Sequence, residues 1–425
     1  MKYLCACFLW LWSVFILLTF FFFRLLSPFS SRIKRFFTDK RKPSYFPLIK
    51  SPSVLFFVSS AGEYEQAKTL ITRLYQAGLT PILCFFSPSG YDFATKRKES
   101  NFFFLSPADT IFAWSQIFAK LPQIKAAVVI RHELWPSFLF TAKKLAIPLY
   151  LINATLNKKE LKNKKLNFLK QQLLSTFKAV YACDEASFQI IKSYRLVTLT
   201  SDTKYDRVFE RRLENSTELS GLKAKLATIM QKTYRFAIGS SWPEDLALVL
   251  PAYKKLLTQN PNSQIILFLA NHEVTSESTQ KTIATCQQFG FNTSLLSNLL
   301  ENQSQASLDI LIIDQIGILA EIYGLCQAAF IGGSVARKIH NILEPASYNL
   351  ALSFGRSYEN SPEAKHLASQ GLAKVITSSE DLYCHWQEEM THDFKGGQSI
   401  ERAMAHLRGA SDFLCQEILG QPPHR

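Results

Sequence analysis

The feature that most constrains this fold is an alternation of short apolar runs with longer helical stretches, which breaks once and then restarts. Residues 54–58 (Val-Leu-Phe-Phe-Val) read as a buried strand, and 63–76 as a helix closed by Gly78. Further strands are expected at 81–86, 126–130, 148–152 and 179–182, with a helix over 185–194. Apolar runs of this length, bounded by turn residues, mark strands covered on both faces, as in a parallel sheet. Residues 207–232 are charge-rich and helical in pattern, with no strand-like run. The alternation resumes with strands at 235–238, 264–270, 308–313, 328–331, 350–354 and 374–377, helices over 244–258 and 317–325, and a long helix over 399–419. The expectation is α/β: two doubly wound, Rossmann-like units in succession. The boundaries fall at an N-terminal anchor (1–24), a basic linker (25–50), a first domain (51–215), a second (216–395) and a closing helix (396–425).

The first fifty residues follow a different rule. Residues 3–23 carry no charge, and 21 residues suffice to cross a hydrocarbon core of about 30 Å. Arg24, Arg32, Lys34, Arg35, Lys40, Arg41 and Lys42 come next, a cluster that keeps the following chain on the cytoplasmic side. The apolar run is too long for a signal-peptide core, and no small-residue cleavage site follows it. It reads as an uncleaved anchor in the inner membrane; the alternative is a helix that lies in the interface or docks a partner. The net charge of +14 suits a nucleic acid, an anionic membrane or a phosphorylated substrate. No nucleic-acid motif is present and the charge gathers beside the anchor, which favours anionic membrane lipids over nucleic acid. A second basic run (Lys158, Lys159, Lys162, Lys164, Lys165) is expected on a surface helix, holding headgroups or acceptor phosphates. The eight cysteines lack CxxC spacing, so neither a zinc site nor a disulfide framework is expected.

Every polar cluster sits where a strand ends, and ligands of open α/β sheets bind at those ends. In the first domain these are Ser59-Ser60-Ala61-Gly62-Glu63, Arg131-His132-Glu133-Leu134-Trp135-Pro136, Asn153-Ala154-Thr155-Leu156 and the segment carrying Lys204-Tyr205-Asp206. In the second they are Gly239-Ser240-Ser241-Trp242-Pro243, Asn271-His272-Glu273 and Gly332-Gly333-Ser334, the last followed by His340-Asn341-Ile342-Leu343-Glu344. Residues 342–348 read as a helix capped by Asn341, whose N–H groups and dipole would receive an anion. Two such domains in a row are expected to bind ligands in a cleft between their strand ends.

Taken in order, Ser59–Glu63, Glu-Leu-Trp-Pro at 133–136, Asn-Ala-Thr-Leu at 153–156, Lys-Tyr-Asp at 204–206 and His-Asn-Ile-Leu-Glu at 340–344 resemble the 3-deoxy-D-manno-octulosonic acid (Kdo) transferase family. The resemblance implies the GT-B glycosyltransferase fold, with an acceptor-binding first domain and a donor-binding second domain. It also implies inverting transfer of Kdo from CMP-Kdo to a lipid A precursor, without a catalytic metal or other cofactor. Glu63 matches the general base, a role that suits a carboxylate within reach of a sugar hydroxyl. Glu133 matches an acid near the reacting sugar. Lys204 matches a position that meets donor phosphate or carboxylate, and His272 a donor-site position. Ser240 and Ser241 are candidate hydrogen-bond donors to a phosphate; Gly332, Gly333 and Ser334 would admit the CMP backbone closely. His340 and Asn341 complete that loop, and Glu344 is a candidate ribose ligand. The chain departs from the family where many members carry Arg before the His (here Asn271) and a second acid (here Arg131). Residues 350–356 and the juxtamembrane segment depart as well. These departures keep two alternatives in view: another GT-B transferase acting on a lipid-linked acceptor, and a non-catalytic lipid-binding relative.

Overall fold

Most of the apolar runs become buried strands. The computed structural model describes residues 2–26, 28, 48–97, 102–156, 164–214, 216–301, 308–394 and 399–421. The chain divides into two compact units, Met1–Arg207 with Leu407–Arg425, and Val208–His406. The first division point lies upstream of the 215/216 boundary expected from sequence. The linker at 29–47 and Lys158, Lys159 and Lys162 lie outside the described residues, as do the side chains of Lys164 and Lys165.

In the first unit the strands are β1 (Ser53–Val58), β2 (Thr80–Phe85), β3 (Phe103–Leu105), β4 (Ile124–Ile130), β5 (Leu149–Ala154), β6 (Ala179–Ala182) and β7 (Thr198–Leu199). They form one parallel sheet in the order β3-β2-β1-β4-β5-β6-β7. Alternate side chains of β1 enter different cores: Leu55 and Phe57 join Trp114, Phe138 and Leu151, whereas Val54, Phe56 and Val58 join Tyr64, Leu70 and Tyr181. Helices cover both faces, which is why the strands read as unbroken apolar runs.

The second unit repeats the plan with β8 (Tyr234–Ser241), β9 (Ile265–Asn271), β10 (Thr293–Leu295), β11 (Ile310–Ile313), β12 (Ala328–Ile331), β13 (Ala351–Phe354) and β14 (Ala373–Val375). The order is β10-β11-β9-β8-β12-β13-β14, again parallel. Its core centres on Phe236, Tyr253 and Trp386. Gly239-Ser240-Ser241, expected as a turn, instead extends β8 through a bulge between Ile238 and Ser241, with Ser240 at φ +56°.

The closing helix is a second correction. It is a short helix at Ile400–Met404, a 3-10 turn at Ala405–Leu407, and a separate helix at Ala410–Leu419. The break is at Gly409, whose φ of +97° takes the chain out of the helix. The Asp206 carboxylate accepts the Gly409 and Ser411 N–H groups at 2.6 and 2.7 Å, satisfying donors at the new helix start. Leu414 and Cys415 then pack into the first unit's core, and the Tyr181 hydroxyl donates to Glu417 at 2.7 Å.

Candidate functional site

A doubly wound sheet opens a crevice where its strand order reverses, and a ligand enters there. In the first unit the reversal lies between β1 and β4, and in the second between β8 and β12. Glu63 and Glu133 follow β1 and β4; Ser240, Ser241, Gly332 and Gly333 occupy the ends of β8 and β12. Topology therefore gathers these six candidates at one switch point in each unit, whereas Lys204 follows the edge strand β7 and His272 follows β9.

At the first switch point, Ser60 is the extended N-cap of the helix Ala61–Gln76, and its hydroxyl accepts the Glu63 N–H. Glu63 reaches back, its Oε2 accepting the Ser59 N–H at 2.6 Å. This reciprocal cap folds the carboxylate onto the end of β1, with the residue 8 % exposed. Burial pushes the Glu63 carboxyl above its ordinary range; the Ser59 N–H opposes this, Glu133 adds to it, and His132 and Arg131 oppose it. Desolvation thus outweighs the dipole of the helix Ala61–Gln76, which at this first-turn position favours the ionised form. A carboxylate with a raised pKa is the stronger base.

Glu133 is braced by the Trp135 indole, which donates to its Oε2 at 2.8 Å. Trp135 stacks on Phe86 with centroids 4.9 Å apart, so the acid rests on an aromatic wall. Arg131 stands in the left-handed region (φ +63°) and ties Gln66 (2.9 Å) to Asp202 (3.3 Å). Asn153, also left-handed and fully buried, exchanges two hydrogen bonds with Thr203. It holds the polypeptide ahead of Lys204 in place. Lys204 opens the helix Lys204–Glu214, with its ammonium 5.2 Å from the Tyr205 ring centroid.

At the second switch point the two glycines answer to packing. A Cβ on Gly332 would lie 2.3 Å from the Ser240 carbonyl oxygen. Gly333 has φ +75°, and a Cβ there would lie 2.2 Å from the Lys338 carbonyl oxygen. Asp245 locks the turn by accepting the N–H groups of Gly333 (2.7 Å), Trp242 (2.9 Å) and Val335 (3.3 Å). Ser334 is fully buried, donating to the Ile331 carbonyl and accepting the Gly355 N–H at 2.7 Å. The buried Ser241 hydroxyl lies 3.2 Å from the Ala270 carbonyl and 3.3 Å from Asn271 Oδ1, which also accepts from Thr282. Ser334 and Ser241 thus brace the strand ends, while Ser240 is only half-buried.

What this switch point presents is a stack that the sequence did not reveal. His272 lies parallel to His340 at 4.2 Å and to Trp242 at 4.5 Å, and the Arg337 guanidinium sits 3.7 Å over the Trp242 ring. The Trp242 indole donates to His340 Nε2 at 3.1 Å. An indole only donates, so Nε2 accepts and a neutral His340 carries its proton on Nδ1. Burial, and then the charge of His272, hold the His340 pKa below its ordinary value, which favours that neutral form. A pocket of about 300 Å³ opens beside the stack, lined in part by Trp242, Asn271, Lys281, Thr282 and Arg337. Trp242 has no marked role in the sequence beyond its strand-end cluster and Asp245 goes unmarked, because a lone Trp and a helix-start Asp carry no spacing signal; only folding brings them beside residues 98 and 88 positions away.

The helix after His340 is another correction. It spans only Leu343–Ser347, with Pro345 inside it, and an eleven-residue loop separates it from β12. Asn341 does accept the Leu343 N–H at 3.0 Å, but so short a helix has little dipole with which to hold an anion. Glu344 pairs with Arg211 at 3.4 Å, and Arg211 also approaches Glu321 at 3.8 Å. Among the described residues, no three His, Cys, Asp or Glu side chains are grouped to hold a metal.

Residues 29–207 match the family described as "3-Deoxy-D-manno-octulosonic-acid transferase (kdotransferase)". A bifunctional glycosyltransferase/methyltransferase of Fusobacterium nucleatum is 24% identical over 377 residues, covering 84% of this chain and 56% of that protein. This chain therefore spans little more than half of that relative. A 3-deoxy-D-manno-octulosonic acid transferase of Aquifex aeolicus is 23% identical over 367 residues, covering 85% of this chain and 92% of that one. A solved glycosyltransferase from Rickettsia africae superimposes with a TM-score of 0.54 at 10% identity, covering 88% of this chain and 100% of that one. That likeness bears on the fold, which is GT-B.

Proposed function

The chain belongs, as a divergent member, to the Kdo transferase family, and from that premise we propose that it transfers Kdo from CMP-Kdo to a lipid A precursor at the inner membrane. The observation that carries the reading is Glu63: a buried carboxyl with a raised pKa, placed where the first sheet reverses its strand order. In the proposed step an acceptor hydroxyl attacks the anomeric carbon of Kdo and gives its proton to Glu63. The new C–O bond forms as the bond to the CMP phosphate breaks, and CMP leaves with the electron pair. Attack opposite the leaving group inverts the anomeric centre. Glu133, held by Trp135, orients groups at the same switch point.

On the second unit, the donor is proposed to bind beside the Trp242–His272–His340 stack. There His340 offers its Nδ1–H, Arg337 supplies positive charge to phosphate or carboxylate oxygens, and His272 lies in the same stack. Lys204, on the first unit, is kept as a candidate cation only as the family resemblance implies. Glu344, engaged by Arg211, is retained as a ribose contact only if that pair opens. The helix Lys2–Leu26, whose segment Leu9–Leu26 is long and apolar enough to cross a membrane, is the proposed anchor.

A second reading is supported by Asn271, which is engaged with Ser241 and Thr282 and brings no cation to the donor side. A different nucleotide-sugar would then be the donor. Detergent-solubilised protein given freshly made CMP-Kdo and tetra-acylated lipid A precursor tests both. A gain of one or more Kdo masses on the lipid, lost in Glu63→Gln, is expected. No gain with both substrates intact, but transfer from a UDP-sugar in a donor panel, would replace the first reading with the second.

A further inference from the structure

The N-terminal helix is apolar on every face, yet its faces meet different surroundings. Leu9 and Ile16 are buried, Trp12 lies between them on the same stripe, and this stripe packs on the first unit's helices Ile111–Ala119 and Pro136–Lys144. The Trp12 indole donates to Asp109 Oδ2 at 2.7 Å. Asp109 is 4 % exposed and is a junction of the first unit. Its carboxylate also accepts the Trp114 indole (2.9 Å) and the N–H groups of Ser137 (3.0 Å) and Phe138 (2.9 Å). The opposite face of the helix carries Leu11, Phe15, Leu18, Phe22 and Leu25, each more than half exposed. Their spacing of three and four residues places them on one line of about 21 Å.

We propose that this helix is held along the first unit by the Trp12–Asp109 bond and lies in the plane of the membrane, its Leu11–Phe15–Leu18–Phe22–Leu25 face entering one leaflet, instead of crossing the bilayer. A crossing helix would place Trp12 and its stripe in hydrocarbon. The docked helices, with Ser115, Gln116, Lys143 and Lys144 on them, would have to follow. Docking and crossing therefore exclude each other. An interfacial helix ordinarily turns a charged face to water; here part of that face, the Leu9–Trp12–Ile16 stripe, packs on the first unit instead, and no residue between 3 and 23 is charged. The occupant of the outward face is lipid, since the row is apolar and Arg24 with the basic stretch that follows suits anionic headgroups. The inference holds whatever the donor sugar is.

Two protease-cleavable tags, one ahead of Lys2 and one after Arg425, placed in the full-length protein and assayed in sealed vesicles of each orientation, test it. The expected result is that both tags are cut from the same face. A first tag cut only from the face opposite the second would overturn the proposal. Trp12→Phe keeps the stripe apolar and aromatic and removes the hydrogen bond to Asp109. In detergent, limited proteolysis should release the helix about fivefold faster from this variant, the change expected from one lost hydrogen bond, with the melting of the units unchanged. Equal release rates would show that Trp12 does not hold the helix and would remove the latch from the proposal.

Discussion

The two switch points share a topology and differ in what the chain does on leaving the sheet. After β1 a helix starts at once, and its cap turns Glu63 inward, where burial raises its pKa. After β12 the chain runs through Gly332, Gly333 and a loop fixed by Asp245 before a five-residue helix begins, and His340 is turned onto Trp242 and His272. One strand exit holds a buried carboxyl with a raised pKa; the other makes an aromatic and cationic surface with a neutral imidazole. A strand end thus provides a place, and the distance to the next helix decides which chemistry occupies it.

The sharpest way to break this comparison is to remove the base while leaving the second switch point intact. Glu63→Gln keeps an oxygen for the Ser59 N–H, so the cap persists. Turnover of CMP-Kdo should fall by about 10²–10⁴-fold, the range for loss of a general base, while CMP affinity measured by calorimetry stays within about twofold. A parallel loss of CMP affinity would mean that Glu63 supports donor binding and that the division of labour is wrong.

Gly333→Ala attacks the other side. The alanine would have to hold φ +75° with its Cβ 2.2 Å from a backbone oxygen, so the turn must move. A destabilisation of about 1–3 kcal/mol is expected from the backbone strain, together with roughly tenfold weaker CMP binding as the His340 loop shifts. Thermal melting with and without CMP reads both. Wild-type affinity in a destabilised variant would show that the turn is structural and that the donor binds elsewhere.

pH separates the two sites by sign. A carboxyl raised in the folded state adds stability that is fully present below its unfolded pKa and is lost as pH rises through the folded value. An imidazole lowered in the folded state does the reverse: its contribution is present above the ordinary value of 6.5 and is lost as pH falls through the folded one. Melting temperature against pH should therefore lose an alkaline-going decline above 4.5 in Glu63→Gln, and an acid-going decline below 6.5 in His340→Phe. Activity should rise with pH through the Glu63 value, because only its carboxylate accepts the proton.

The legible part of the molecule was what local pattern controls. Buried parallel strands print their burial on every residue, so the two sheets and the placement of Glu63, Glu133, Ser240 and Gly332 at their ends followed from periodicity and topology. Bends made by distant partners were not legible. The helix expected over 399–419 breaks because Asp206, some two hundred residues away, binds the backbone at Gly409 and Ser411. Ser334 looks like any polar residue after a glycine turn, and only the backbone of Gly355 shows where its hydroxyl goes. The spacing of Trp242, His272 and His340 along the chain says nothing of their stacking.

Glu344 carries the smallest expected effect and the finest distinction. Sequence order alone places it beside His340 and Asn341 as a ribose ligand, whereas its contact is with Arg211, which also reaches Glu321. Glu344→Gln removes one partner of a half-buried pair and leaves Arg211 with the other. A partly exposed ion pair is worth about 0–1 kcal/mol, so CMP affinity should change less than about threefold and the melting temperature should fall by only a few degrees. Arg211→Gln would lower stability further, because it removes the Glu321 pair and the hydrogen bond to the Gly317 carbonyl as well. A Glu344→Gln loss of tenfold or more in CMP affinity, with Arg211→Gln leaving affinity unchanged, would instead show that Glu344 releases Arg211 when donor arrives. In that case the loop after β12 holds a nucleotide contact that the free protein keeps paired.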